Sequence, residues 1–266
     1  MNSSAARVAQ RSPLMIFEPV AAPRLRMICC SYAGGSASVY GNWHASLPAD
    51  VEVCAVELPG RGARFREAPL CTMNALADDV MGGLGARLDA PLVLYGHSMG
   101  GVLALELAKR LADAGAPPRA LVVSGCAAPH LPSRRRCRLY DLPRDELVRE
   151  LNLLEGLPRG MLDAQGFIDM LLPTVRADLQ SRETWFAEIR ALPVPIHALS
   201  GRDDELVWAP ELGEWQHYSN VPLNVRMFDG GHFFINSHRA QVLAHLAGIV
   251  DGLTLGPHRR ADQVRV

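Results

Sequence analysis

Short, almost wholly apolar runs alternate along this chain with longer stretches whose apolar residues recur every three or four positions. Arg24–Tyr32 (RLRMICCSY), Val51–Glu57, Leu92–Tyr95, Ala120–Ser124, Val194–Leu199 and Leu223–Phe228 read as strands. Helical spacing falls at Val39–Leu47, at Met73, Leu76, Ala77, Val80, Leu84 and Leu88, and at Val102, Leu103, Leu105, Leu107, Ala108 and Leu111. It returns near Pro210–Tyr218 and at His238–Leu253. Strands apolar on both faces that alternate with helices predict an α/β fold: a mostly parallel central sheet covered by helices on two sides, with right-handed connections. In such sheets ligands bind beyond the carboxyl ends of the strands. Ala33, Arg61, Ser98 and Gly125 all lie just past strand ends, so they are expected on one rim.

The alternation breaks at about 126–192. Helical patterning continues there, around Asp145–Leu154, Met161–Leu172 and Thr174–Ile189, but no strand is expected. The segment reads as a helical lid inserted over the rim, within one domain of about 24–255. Residues 1–23, rich in Ala, Ser and Pro, read as a flexible arm, and 256–266 as a disordered polar tail.

Composition narrows the picture. The 266 residues are 48% hydrophobic and 21% charged, with a formal net charge of −1. That length supports a full core, and the charge balance points to neither nucleic acid nor a membrane surface. Six cysteines, with no Cys-x-x-Cys pair, suggest a reduced, cytoplasmic protein without a metal. The N-terminal apolar run is broken by Pro13, Glu18, Pro19 and Pro23, unlike a signal peptide. No run approaches the roughly 18 apolar residues of a membrane span.

Chemistry concentrates where the strand Leu92–Tyr95 runs into Gly96-His97-Ser98-Met99-Gly100 and a helix begins at once. Strand, sharp turn and helix with Ser at the apex make a nucleophile elbow. Glycine is needed at 96 and 100 because a Cβ would collide with neighbouring backbone. The Met99 amide, at a helix N-terminus, suits a developing oxyanion.

A serine hydroxyl needs a base, and the base needs an orienting group. Among nine histidines, His232 stands on a Gly-rich loop directly after a strand, in Asp229-Gly230-Gly231-His232-Phe233. His97 adjoins the serine in sequence but points away from it in an elbow. The orienting acid is expected after the Val194–Leu199 strand, where Asp203, Asp204 and Glu205 are adjacent and composition cannot choose. The pattern Gly201-x-x-Asp204-x-x-Val207 selects Asp204. The order Ser…Asp…His is that of α/β-hydrolases. A second oxyanion donor is expected from Ala33, which opens Ala33-Gly34-Gly35.

These pieces together resemble the type II thioesterases, the free-standing editing enzymes of polyketide synthases and nonribosomal peptide synthetases. The resemblance rests on Tyr32-Ala33-Gly34-Gly35-Ser36-Ala37, Leu58-Pro59-Gly60-Arg61-Gly62, Gly96-His97-Ser98-Met99-Gly100-Gly101, Gly201-Arg202-Asp203-Asp204 and Gly230-Gly231-His232-Phe233-Phe234. It spans about residues 27–250. It implies an α/β-hydrolase fold with a helical lid and a Ser98–His232–Asp204 triad. It also implies hydrolysis of acyl thioesters from the phosphopantetheine arm of acyl or peptidyl carrier proteins, with no cofactor of its own. A monomer is expected. The lid's basic run, Arg134, Arg135, Arg136 and Arg138, is a candidate docking surface for an acidic carrier. The triad alone does not separate a thioesterase from a carboxylesterase or lipase acting on free oxyesters. A non-catalytic ligand-binding protein on the same fold is the alternative of another class.

Overall fold

Every residue at 25–30, 51–56, 92–97 and 120–124 is buried, as strands covered on both faces require. The computed structural model describes residues 12–133, 137–154 and 165–253. In chain order the elements are β1 (Leu14–Met15), β2 (Leu25–Cys30), β3 (Val51–Val56), α1 (Met73–Leu84), β4 (Leu92–His97), α2 (Met99–Asp113) and β5 (Ala120–Ser124). Then follow α3 (Arg144–Leu153), α4 (Gln165–Glu183), β6 (Ile196–Gly201), β7 (Asn224–Phe228), α5 (Phe234–Ser237) and α6 (Arg239–Gly252). One seven-stranded sheet has the order β1-β3-β2-β4-β5-β6-β7. All pairings are parallel except β1 with β3.

The two-residue period of a strand divides the core. Ile28, Cys30, Cys54 and Val56 face α1 and α2, with Trp215 and Tyr218 in the same cluster. Met27, Cys29, Val53 and Ala55 face the other way, onto Tyr40, Trp43, Phe234 and the buried side of α6. A third, smaller cluster joins Leu147 and Leu151 of α3 to Ile168, Leu172 and Val175 of α4. These helices lie in the segment expected to be the lid, and they share a core of their own. No helix among the described residues is long and apolar enough to cross a membrane.

Several expectations change in the structure. Within the expected arm, Leu14 and Met15 form an antiparallel edge strand on Val56 and Ala55, because β3 offers an unpaired edge that a short apolar pair can cover. Residues 1–11 of the expected arm and the tail 256–266 lie outside the described residues; farther along the arm, the Val20 amide donates to Glu52 Oε1 at 3.1 Å. Val39–Leu47 is not one helix but two 3₁₀ turns, Ala37–Tyr40 and His44–Ser46. The 210–218 helix is likewise 3₁₀, over Ala209–Tyr218, with Leu212, Trp215 and Tyr218 buried. In both places three buried residues recur every third position (Ala37, Tyr40 and Trp43; Leu212, Trp215 and Tyr218), which suits three residues per turn better than 3.6. The two lid helices expected on either side of Pro173 are one, α4. A proline inside a helix removes a hydrogen bond and crowds the preceding turn. Here packing of Ile168, Leu172 and Val175 and the polar anchors described below hold the helix continuous.

Candidate active site

The elbow forms because β4 and α2 meet with no room for side chains. A Cβ on Gly96 would lie 1.9 Å from the Gly100 carbonyl oxygen, and one on Gly100 would lie 2.1 Å from that of Cys30. Between them Ser98 has φ 56° and ψ −120°. It is the one non-glycine with positive φ among the described residues, a strain of about 1–3 kcal/mol. Its amide donates to the Ser124 carbonyl at 2.8 Å, which ties the apex to the end of β5. Met99 is the first residue of α2, so its N–H has no intrahelical partner four residues back.

His232 and Asp204 are brought together by contact between the loops after β6 and β7. The Asp203 amide donates to the Gly230 carbonyl at 3.0 Å, and that of Arg202 to Phe228 at 2.8 Å. Gly201 fits there only without a Cβ, which would meet the Gly230 oxygen at 2.3 Å. His232 Nδ1 lies 2.9 Å from Asp204 Oδ2. The other oxygen, Oδ1, accepts the amides of Leu206 at 2.9 Å and Val207 at 3.3 Å. The Asp204 carboxylate is fully buried and the His232 ring nearly so, whereas Asp203 is exposed. The Gly-x-x-Asp-x-x-Val spacing thus has a physical content: the residues after Asp204 fold back to bind its carboxylate.

His97 is buried behind the elbow with Nδ1 3.0 Å from Ser124 Oγ. Its ring lies 5.1 Å from that of His232. Burial, and next the neighbouring His232, hold its pKa well below the usual histidine value, so it is neutral. It packs beneath the site instead of facing the serine.

Two cavities meet at Ser98 and His232. The larger, about 510 Å³, runs under the lid against Ala33 and Gly34, and Phe65, Met170, Leu171 and Val175 make it largely apolar. The second, about 390 Å³, lies beyond β5 and carries both apolar and charged groups, among them Cys126, Arg182, Glu205 and Phe186. Cys126 is held mainly by burial to a pKa of about 11, so its thiol is not a competing nucleophile at neutral pH.

A polar seam along α4 escaped the sequence reading. Asp178, fully buried, accepts from Arg61 Nη1 at 2.6 Å, Arg61 Nη2 at 2.7 Å and the Gly34 amide at 2.7 Å. One turn earlier, Thr174 Oγ1 donates to the Gly60 carbonyl at 3.0 Å. The Arg61 guanidinium also donates to the Gly35 carbonyl at 3.1 Å. The lid helix is therefore fastened to the loop carrying Ala33 and to the Leu58–Gly62 loop. Arg61 was legible as a rim residue, but nothing local marked Asp178 as its partner. The usable signal was a carboxylate three residues after Val175, in the buried stripe of a helix. The arginines at 134, 135 and 136 lie outside the described residues, and Arg138 is exposed beside Tyr140.

Comparison with known proteins agrees with this geometry. The thioesterase domain family model matches residues 25–250. The probable cadicidin biosynthesis thioesterase of Streptomyces griseus is 34% identical over 232 residues, covering 87% of this chain and 64% of its own length. The gramicidin S biosynthesis protein GrsT of Aneurinibacillus migulanus is 31% identical over 224 residues, 84% of this chain and 87% of its own. The solved structure of the type II thioesterase BorB from the borrelidin biosynthetic cluster superposes with a TM-score of 0.82 at 36% identity, covering 90% of this chain and 98% of that one. The chain belongs to the thioesterase family, and its mostly parallel seven-stranded sheet with helices is that of an α/β-hydrolase thioesterase.

Proposed function

We propose that this protein hydrolyses acyl thioesters borne on carrier proteins of a polyketide synthase or nonribosomal peptide synthetase, with Ser98 as nucleophile, His232 as general base and acid, and Asp204 as its orienting group. The observation that carries the reading is the 2.9 Å contact between His232 and a buried, amide-bound Asp204, on a rim where Ser98 and His232 line the same cavities. The relatives named in antibiotic pathways support the substrate class.

In this reading Asp204 holds the tautomer with the proton on Nδ1, leaving Nε2 to accept the Ser98 proton as Oγ attacks the thioester carbonyl. The tetrahedral oxyanion is stabilised by the N–H groups of Ala33 and Met99. Collapse breaks the C–S bond, and His232 returns the proton to the departing thiol. Water then attacks the acyl-enzyme, giving its proton to His232, and the acid leaves as Ser98 Oγ is reprotonated. A thioester carbonyl has two substituents, and two cavities meet at Ser98. The apolar one suits the acyl chain, and the mixed one the amide-rich phosphopantetheine arm. The arginines at 134, 135 and 136 are proposed to favour encounter with an acidic carrier. No cofactor takes part beyond the arm the substrate carries. The protein is proposed to act as a cytoplasmic monomer, where carriers are found.

The test compares kcat/KM for acyl-carrier, acyl-coenzyme A and nitrophenyl ester substrates, wild type against Ser98→Ala. The carrier substrate should lead, and Ser98→Ala should lose about 10⁴–10⁶ in kcat. A preference for the oxyester would make the protein a carboxylesterase. Absence of fluorophosphonate labelling in the wild type would make it a binding protein.

A further inference from the structure

Away from the triad, three side chains from two distant parts of the chain converge with metal-ligand chemistry. His130 stands on the loop after β5, and Glu214 and His217 on the 3₁₀ helix Ala209–Tyr218. His130 Nε2 lies 3.3 Å from Glu214 Oε2, and His217 Nε2 lies 3.3 Å from the same oxygen. One ligand atom from each residue falls within 4.8 Å of the other two. Two imidazoles and a carboxylate at that spacing are the donor set of a zinc-class ion, whose tetrahedral ligands at about 2.0–2.2 Å sit somewhat over 3 Å apart. We propose that His130, Glu214 and His217 form a binding site for a divalent transition-metal ion of the zinc class, bridging the loop after β5 to the 209–218 helix.

Three further features support the site. In a 3₁₀ helix residues i and i+3 eclipse, so Glu214 and His217 present their donors together without adjustment. His130 Nδ1 lies 3.3 Å from the Tyr218 hydroxyl. A proton on Nδ1, donated to that hydroxyl, leaves Nε2 free to bind metal; the hydroxyl then takes the place that a carboxylate, carbonyl or water fills behind most metal-bound histidines. The two segments are already held in register by the Trp215 indole N–H, which donates to the Cys126 carbonyl at 2.8 Å. Only His217 and Glu214 are substantially exposed, so the ion has a route in and room for a water as fourth ligand. Borderline donors of this kind select zinc, nickel or copper over magnesium and calcium. The loop on which His130 sits continues through Pro129 and Leu131, which wall the second cavity. A bound ion would therefore stiffen that wall, outside the catalytic chemistry itself.

The test uses the full chain, freed of metal by chelator and dialysed. Cobalt(II) should give the intense visible absorption of a four-coordinate site, saturating at one ion per chain. Zinc titrated by calorimetry should bind one to one, and magnesium should give no heat. At a hundredfold zinc excess over Kd, Tm should rise by about 5–10 °C. His217→Ala, a change at an exposed residue, should weaken zinc binding at least tenfold and abolish the cobalt spectrum. Tyr218→Phe should weaken zinc binding about tenfold. Nitrophenyl ester hydrolysis by His217→Ala without metal should match the wild type, which reports an intact fold. Wild-type zinc affinity in both His217→Ala and Glu214→Gln, or no one-to-one binding in the wild type, overturns the site and leaves a hydrogen-bonded cluster only.

Discussion

Asp178→Asn isolates the junction of lid and rim. The native carboxylate receives both Arg61 Nη groups and the Gly34 amide at 2.6–2.7 Å, and both side chains are almost wholly buried. Asparagine keeps the shape but removes the charge, and its NH₂ can no longer accept a hydrogen bond. The guanidinium is left buried without its counter-ion, a loss of about 3–5 kcal/mol. For a domain of this size each kcal/mol moves Tm by about 2–4 °C, so Tm should fall by about 6–20 °C by calorimetry. The Gly34 amide also loses its anionic acceptor, one residue from the proposed oxyanion donor Ala33. Loss of a whole oxyanion donor costs about 10²–10³ in kcat. A displaced loop should cost less, about 10–100-fold, with KM for a small thioester little changed. The double variant Asp178→Leu with Arg61→Met removes both charges together and should recover most of the Tm, since apolar replacement of a buried pair is often neutral. Its kcat should stay low, because the loop still lacks its acceptor. Wild-type kcat in that double variant would refute the argument that the lid helix sets the oxyanion loop. An unchanged Tm in Asp178→Asn would refute the energetic part.

Three other outcomes follow from the geometry. Asp204→Asn should lower kcat by about 10³–10⁴ in steady-state thioester assays, while Asp203→Asn, at an exposed position, should stay within a few-fold of wild type; the reverse ranking would dismiss the assignment. His97 is neutral in the folded protein and titrates normally, near 6.5, once unfolded. The unfolded state therefore binds more protons below that pH, and stability is lost as pH falls beneath about 6.5, by up to about 1.4 kcal/mol per pH unit from this group. Denaturant titrations at pH 5 and 7 should show a smaller acid loss in His97→Asn, with the part due to the also-depressed His197 and His245 remaining. Gly100→Ala places a Cβ 2.1 Å from the Cys30 carbonyl and should yield little folded protein in expression and circular dichroism. A well-folded variant would mean the elbow is looser than described.

The sequence by itself determined the six parallel strands, the elbow and the residues proposed for the triad, for local reasons. Continuous apolar runs such as Leu92–Tyr95 have one sensible environment, buried on both faces of a parallel sheet. Glycines at 96, 100 and 201 mark places where backbone must approach backbone, Gly230 has a positive φ of 96°, and such places surround the site. The choice of Asp204 over Asp203 was readable because its acceptor role is fulfilled by amides only two and three residues along. What the tertiary structure alone decided depends on contacts between distant residues. The register of Leu14 on Val56 needed a free edge that no local pattern advertises. The continuity of α4 through Pro173 needed neighbours to outweigh a local breaker. The pairing of Arg61 with Asp178, 117 residues apart in sequence, and the meeting of His130 with Glu214, 84 apart, arise when the lid and the 209–218 helix fold back onto the sheet. A charge's partner across such distances is set by the packing of whole elements; the residues around Asp178 can mark it as a buried carboxylate, but they do not name Arg61 as its partner.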